Sequence, residues 1–547
     1  MEVPAPPAWA SPLATTTTIL LVTAALVLVT TTVLRRRAHR HRKRQRQAPP
    51  GPRPWPVIGN LNLLGALPHR SIHELSARYG PLMSLRFGSF PVVVGSSVEV
   101  AEVVLRTQDL AYLDRPRMAC GKYTVYNYSG MLWSHYGPYW RQLRKLWVTE
   151  LLSARQLRLT ERVRAEEVRA MLRDLHPHPA TSTTSTAAVV LKERLLMVTL
   201  NVISRMVLGK KYVGEDDAGG PGAAATPEEF RWMIEEIFFL NGALHVGDMV
   251  PWLGWLDAHG YVGRMKRLAG KFDRFIEHVL REHGERRRRE GAAFVPGDMV
   301  DLLLQLADDG DGGPGGLLEV PLDRDGVKAS VLELVTGGTD TSSVTVEWAM
   351  SEVLREPRVL CKVTEELDRV VGRDRLVGEG DIPGLPYLDA VVKESMRLHP
   401  VVPLLIPRVA REHTTVAGYD VPAGTRVLVN VWAIGRDPNV WGPDAGEFRP
   451  ERFLDGSKRS KVDVRGQDLE LLPFGAGRRM CPAHGLGLRM VQLVLANLLH
   501  GYVWRLPGGM APEELSMEEK FGISVSRMHQ LKAIPDPRLP HHVYFGP

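Results

Sequence analysis

Pro473-Phe474-Gly475-Ala476-Gly477-Arg478-Arg479-Met480-Cys481-Pro482-Ala483 sets a single cysteine inside a loop suited to a buried metal-thiolate. Gly475, Ala476 and Gly477 let the backbone pass close to a flat cofactor. Arg478 and Arg479 supply fixed positive charge, which favours a thiolate over a thiol. Phe474 can pack on an aromatic face, and Pro482 helps fix the loop. From 485 to 500 the chain reads as a helix. Its apolar face carries Leu486, Met490, Leu493, Val494 and Leu498, with Asn497 the one polar residue on that stripe. A cysteine just ahead of a helix N-terminus gains further from the helix dipole. A lone cysteine is more often plain core; here the neighbours argue otherwise.

The stretch resembles the haem-ligand signature of the cytochrome P-450 superfamily, Phe-x-x-Gly-x-Arg-x-Cys-x-Gly. It matches at Phe474, Gly477, Arg479 and Cys481 and departs at Ala483, where glycine is usual. If the backbone at Ala483 needs a positive φ, the methyl group costs roughly 1–2 kcal/mol; otherwise its effect is small. A shifted reduction potential with retained activity is the expectation for this position.

Upstream, 327–354 reads as one long helix interrupted by Gly337-Gly338-Thr339-Asp340-Thr341-Ser342. Two glycines weaken a helix by roughly 2 kcal/mol relative to alanine, and Asp, Thr and Ser compete for backbone hydrogen bonds. The reading is a local opening that admits a flat cofactor and a small ligand. The segment is similar to the superfamily's oxygen-activating motif, which implies that Asp340 and Thr341 relay protons. Glu394 and Arg397 lie on a helix over 387–399, and Arg452 follows in Phe448-Arg449-Pro450-Glu451-Arg452-Phe453. The resemblance makes these three a buried salt-bridged triad that locks the fold. Trp140 and Arg144, four apart on one helix face, match the family's Trp-x-x-x-Arg and imply contact with a haem propionate. Arg408 and Arg479 are further partners for the propionates. Cys481 is the implied iron ligand; Cys120 and Cys361 lack a comparable loop.

The N-terminal part has a different character. The run 13–34 holds 22 uncharged residues, long enough to cross a bilayer. Arg35-Arg36-Arg37, Arg40, Arg42-Lys43-Arg44 and Arg46 follow it, and Glu2 is the only charged side chain before it. That asymmetry places residues 1–12 in the lumen and the main body in the cytosol. The same cluster accounts for the net charge of +7, so the basic balance argues for a membrane surface and not for nucleic acid. Repeated prolines from Pro49 to Pro56 make 35–60 a basic, stiff linker. Three cysteines in 547 residues suit a reducing compartment.

Elsewhere, 82–87 and 91–94 read as a hairpin. Helical stretches cover 153–175, 231–240 and 264–289, and polar loops cover 177–186, 214–227 and 308–316. No dinucleotide fingerprint or phosphate loop is present in the sequence, so if this is a redox enzyme its electrons come from another protein.

Taken together, the motifs resemble the plant microsomal branch of the superfamily, in the clade that includes flavonoid 3'-hydroxylase-like enzymes and many terpenoid and phenolic oxidases. The resemblance implies a mostly α fold with small β-sheets, a single haem domain over 61–547 behind a single-pass anchor in the endoplasmic reticulum membrane. It implies haem b with an axial thiolate. It implies NADPH used indirectly through NADPH–cytochrome P-450 reductase, with cytochrome b5 as a further partner. The activity implied is insertion of one oxygen atom of O2 into a hydrophobic plant phenolic, flavonoid or terpenoid. Alternatives are a haem-thiolate isomerase or dehydratase and a non-enzymatic electron carrier. Substrate contacts are expected from 112–136, 238–244, 331–341 and 401–406.

Overall fold

The computed structural model describes residues 48–176, 188–213, 226–308, 319–456 and 458–545. The proposed lumenal segment, the anchor at 13–34, the basic cluster and most of the three polar loops lie outside the described residues. Among the described residues, no helix is long and apolar enough to cross a membrane.

The Arg324–Arg355 helix runs through the middle of the molecule and is buried on nearly every side. Small and apolar residues all round it make that possible. Asp323 caps it, accepting from Gly326 N at 2.8 Å. The expected opening at 337–342 does not occur; the helix is continuous. Its hydroxyls turn back onto their own helix instead of competing with it. Thr339 donates to Val335 O at 2.6 Å, Thr341 to Gly337 O at 2.8 Å and Ser343 to Asp340 O at 2.8 Å. The two glycines do separate work. A Cβ on Gly338 would lie 2.5 Å from Ile203 Cδ1, so glycine permits close packing on the Leu191–Val207 helix; Gly337 faces open space.

The hairpin forms as read, Leu82–Phe87 against Phe90–Gly95, antiparallel. It continues into a four-stranded sheet through Arg426–Val429, parallel to the second strand, and Arg408–Val409, antiparallel. That sheet sets Arg408 at the cavity edge. A second sheet near the C-terminus joins Val189–Val190, Lys532–Pro537 and Tyr502–Arg505. The stretch read as one helix over 153–175 is two, Ala154–Leu159 and Glu161–Leu175. Thr160 is the break: its hydroxyl bonds Gln156 O at 2.8 Å and receives Arg164 Nη1 at 2.9 Å.

Behind the cysteine loop, Glu394, Arg397 and Arg452 form one fully buried cluster. Arg397 grips both carboxylate oxygens, at 2.7 and 2.8 Å, and Arg452 Nε reaches Oε1 at 2.8 Å. The remaining guanidinium hydrogens go to the carbonyls of Gly435, Ala445, Trp441 and Asp444. With every partner supplied, the charges can stay buried. The His484–Gly501 helix packs beside the central helix, and Asn497 is satisfied by both the N–H and the carbonyl of Val377.

Candidate active site

Cys481 sits at the floor of an internal cavity roofed by the central helix and the segments around 131, 238, 401 and 523. Its loop is pinned by Cys481 N donating to Phe474 O at 3.0 Å and Met480 N to Gly477 O at 3.1 Å. Gly475 and Gly477 have φ of +69° and +70°. A Cβ on Gly477 would lie 1.9 Å from Leu105 O. Ala483 has φ −92° and ψ 13°, so the methyl group meets no strain where glycine is usual. Phe474 packs against His484 and Gly487.

The arginines do not hold the sulfur ionised in the way the sequence implied. Burial pushes the Cys481 thiol up, and a hydrogen bond from Ala483 N–H and the charge of Arg144 offset this only in part. Arg478 turns outward to Asp109 at 2.5 Å. Arg479 turns away from the sulfur to the carbonyls of Leu113, Met131 and Ser134. A bound metal cation is what would make this thiol a thiolate.

Four guanidiniums converge on the cavity wall, Arg115 and Arg408 buried and Arg144 and Arg479 half-buried. Burial lowers all four, Arg408 to about 10 and Arg479 to about 9. Arg479 and Arg408 further depress Arg115, and Arg408 further depresses Arg479. Their hydrogen bonds go to backbone carbonyls, among them Met480 from Arg144 at 2.6 Å and Ile406 from Arg115 at 2.6 Å. Among the described residues, none of the four has a carboxylate within ion-pair distance except through longer-range fields. Mutually repelling cations beside a cysteine call for a dianionic ligand, and haem b brings two propionates. The residues fit that group. Trp140 lies beneath Arg479, 4.4 Å from its ring centroid, and donates its indole N–H to Met131 O at 3.1 Å. Its role here is to support Arg479 and the Met131 carbonyl.

On the opposite wall, Thr341 and Gly337 line the cavity. Asp340 does not; it points behind the helix. Its Oδ1 accepts from Lys192 Nζ at 2.9 Å and its Oδ2 from Ser524 Oγ at 2.8 Å. Glu333, two turns earlier on the same helix face as Thr341, also lines the cavity. Arg115 and Glu333 lie within stretches expected to contact substrate, 112–136 and 331–341, but were not singled out by sequence reasoning, and Lys192 lies outside every expected stretch. Their partners lie 291, 148 and 202 residues away, and no local pattern marks them.

A cysteine floor, a cluster of arginines for two propionates and an open chamber above define a haem-thiolate oxygenase. A family model for cytochrome P450 matches residues 49–529, and the chain belongs to that family. It is 54% identical over 507 residues to trimethyltridecatetraene synthase of Zea mays, covering 91% of this chain and 89% of that relative. It is 45% identical over 497 residues to a flavonoid 3'-monooxygenase of Crocosmia x crocosmiiflora, covering 91% and 94%. A solved structure of a zebra fish cytochrome P450 with abiraterone superposes with a TM-score of 0.68 at 26% identity, covering 86% of this chain and 100% of that one. The protein is therefore a monooxygenase that carries haem b on a cysteine thiolate and works with O2, a redox partner and a small hydrophobic substrate. The placement near the flavonoid hydroxylases holds.

Proposed function

We propose that this monooxygenase oxidises a hydrocarbon-rich, acyclic terpenoid. The observation that carries this reading is the chamber wall. Val125, Leu132, Ile237, Phe238, Val401 and Ile523 form much of it. Most of the polar side chains among them are already committed, His399 Nδ1 being an exception. Asn241 accepts from Trp133 Nε1 at 3.1 Å and donates to Ile237 O at 2.8 Å. Thr336 donates to Leu332 O at 2.8 Å. Glu333 accepts from Met131 N and Leu132 N. A polyhydroxylated ring would leave water for few new partners, at about 1–3 kcal/mol for each group left unsatisfied. The name of the maize relative, a branched polyene hydrocarbon synthase, supports the same class.

When bound, haem would supply the activation of O2, using electrons from the redox partner, and the delivery of one oxygen atom to the substrate. The chain's residues do the rest. Cys481 Sγ would hold the iron from below, and Arg115, Arg144, Arg408 and Arg479 would hold the propionates, with Phe474 bracing the loop. The apolar wall excludes water from the reacting carbon. Thr341 lines the chamber and keeps its hydroxyl proton on Gly337 O at 2.8 Å. Rotation about χ1 would turn that O–H into the chamber. Asp340, one residue behind, would reload it by passing on a proton taken from Lys192 Nζ, which solvent would then restore. Protons would thus come through the back of the helix, not from the substrate side.

The run at 13–34 would anchor the protein in the endoplasmic reticulum membrane with this domain in the cytosol. Exposed Trp55, Val57 and Ile58 and exposed Trp252, Trp255 and Leu256 support a membrane-facing side. Their segments are joined through Gly88 N to Ile58 O and Ser89 N to Met249 O. NADPH–cytochrome P-450 reductase, with cytochrome b5 as a second donor, would dock on the cysteine side. Half-exposed Arg478 and Arg489 lie there. Arg479, beside Arg478 in the loop, turns into the cavity wall and faces no partner.

The test is turnover in membranes holding this protein, a reductase and NADPH, offered acyclic terpenoid alcohols in one arm and flavonoids in the other. Oxidised terpenoid products absent with Cys481→Ser are the expected result. Conversion of flavonoids with terpenoids untouched would overturn the substrate class. Protease protection of the N-terminus in sealed microsomes tests the topology.

A further inference from the structure

The segment 125–132 forms part of the chamber roof, with Val125, Met131 and Leu132 facing inward. Its backbone is strained. Tyr126, Asn127 and Tyr128 have φ of 43°, 52° and 67°, three consecutive non-glycine residues in the left-handed region. Such a run persists only when its surroundings hold it.

Besides nearby bonds such as Tyr128 Oη to Met118 O at 3.0 Å, two sets of ties do so, one through Asp273 of the Tyr261–Glu290 helix and one directly from the central helix. At the near end, Tyr126 Oη donates to Asp273 Oδ1 at 3.1 Å, and Lys328 of the central helix holds the same oxygen at 2.9 Å. At the far end stands Glu333. Its Oε2 accepts from Met131 N at 2.7 Å and its Oε1 from Leu132 N at 3.1 Å. Gly130 is pressed against that carboxylate; a Cβ there would lie 2.2 Å from Oε1. The carboxylate has no ion-pair partner among the described residues, and Arg479 reaches it only by its field. A buried acid kept for two backbone amides is costly unless the geometry it enforces is used. Neither the haem-holding arginines nor the proton route through Thr341 uses it.

We propose that Glu333 is a positioning residue that latches the strained 125–132 segment over the chamber, setting how substrates reach the reacting centre and how they lie there. Charge-assisted bonds to two successive amides fix both the height of the roof and the rotation of the Met131 and Leu132 side chains. Without them, the left-handed run relaxes and the roof lifts. The inference does not depend on the class of substrate.

The experiment uses the full-length, haem-loaded protein in membranes or detergent and reads access with two probes, carbon monoxide and 4-phenylimidazole. For Glu333→Ala, rebinding of carbon monoxide after flash photolysis and association of 4-phenylimidazole should both rise about tenfold. The haem content and the thiolate-type carbon monoxide band should stay those of the parent. Glu333→Asp, which retains an acceptor of shorter reach, should fall between. Equal association rates within about twofold in correctly loaded Glu333→Ala would overturn the latch. If that variant fails to load haem, Glu333→Gln decides the matter by amide hydrogen exchange. Faster exchange confined to 125–132 supports the latch, and unchanged exchange overturns it.

Discussion

The floor and the roof of the cavity are held by different means. The floor is built on local bonds, to which Arg144 adds one from afar on Met480 O at 2.6 Å and Arg408 another on Ala476 O at 3.3 Å. Cys481 bonds Phe474, Met480 bonds Gly477, and glycines at positive φ make the turn without strain. The roof is assembled from afar. Met131 and Leu132 hang from Glu333, Arg479, Trp140 and Arg115, and non-glycine residues beside them carry positive φ. Chemistry that must not vary sits on the local construction. Selectivity, which differs among relatives of one fold, sits on the one that depends on distant side chains.

The largest effect should come from the floor. Cys481→Ser should abolish NADPH-dependent product and the thiolate-type carbon monoxide band together, since no other cysteine reaches the cavity. Next, Glu394→Ala leaves two fully buried guanidiniums uncompensated. A loss of about 3–5 kcal/mol is expected, seen as a lowered melting temperature or failure to retain haem. A milder result would mean that the floor is less dependent on its backing than the comparison holds.

Effects on the upper wall should be smaller and should fall on function before stability. Asp340→Asn keeps the hydrogen bond with Ser524 and weakens that with Lys192. It should cut product formed per unit enzyme by about 10²-fold, with an enlarged solvent isotope effect and normal haem content. Glu333 supplies a pH test. Burial raises its carboxyl from 4.5 to about 7, against the pull of the Leu132 and Met131 N–H groups. A carboxyl whose folded value is raised costs nothing below its unfolded value, and destabilises the fold increasingly as pH climbs towards the folded one. Glu333→Gln has no such titration. Its unfolding free energy relative to the parent, followed by denaturant titration, should therefore improve as pH rises from about 4.5 to 7, by a span of at most about 3 kcal/mol. A constant difference across that range would show that the latch carries no charge cost. The smallest effect belongs to Ala483→Gly. With φ at −92° nothing is strained, and glycine is the better helix N-cap, so stability should change by less than about 1 kcal/mol. A shift in the reduction potential would show that the floor senses this methyl group after all.

The same contrast explains what could be read from the sequence. Cys481, Arg479 and the triad of Glu394, Arg397 and Arg452 announce themselves by spacing within short segments. The continuity of the central helix is not legible in the sequence because hydroxyls such as those of Thr339 and Thr341 can bond either way; in the fold they bond back to Val335 O and Gly337 O. Arg115, Lys192 and Glu333 carry no period and no neighbour that marks them. Each acquires its meaning from a partner brought close by the fold.

The peptide groups of Met131 and Leu132 have a consequence for how such an enzyme diversifies. Their N–H groups serve the roof latch and their carbonyls serve Arg479, Trp140 and Arg115, which also flank the cofactor. An insertion or deletion in this stretch would therefore disturb prosthetic-group retention and substrate orientation at once. Exchanging the side chains of Met131 and Leu132 would disturb neither tie. A mutational library aimed at new products should keep the length of 125–132 constant and vary those two side chains. Lineages that change product over time should carry the same signature, variable side chains on a backbone of fixed length.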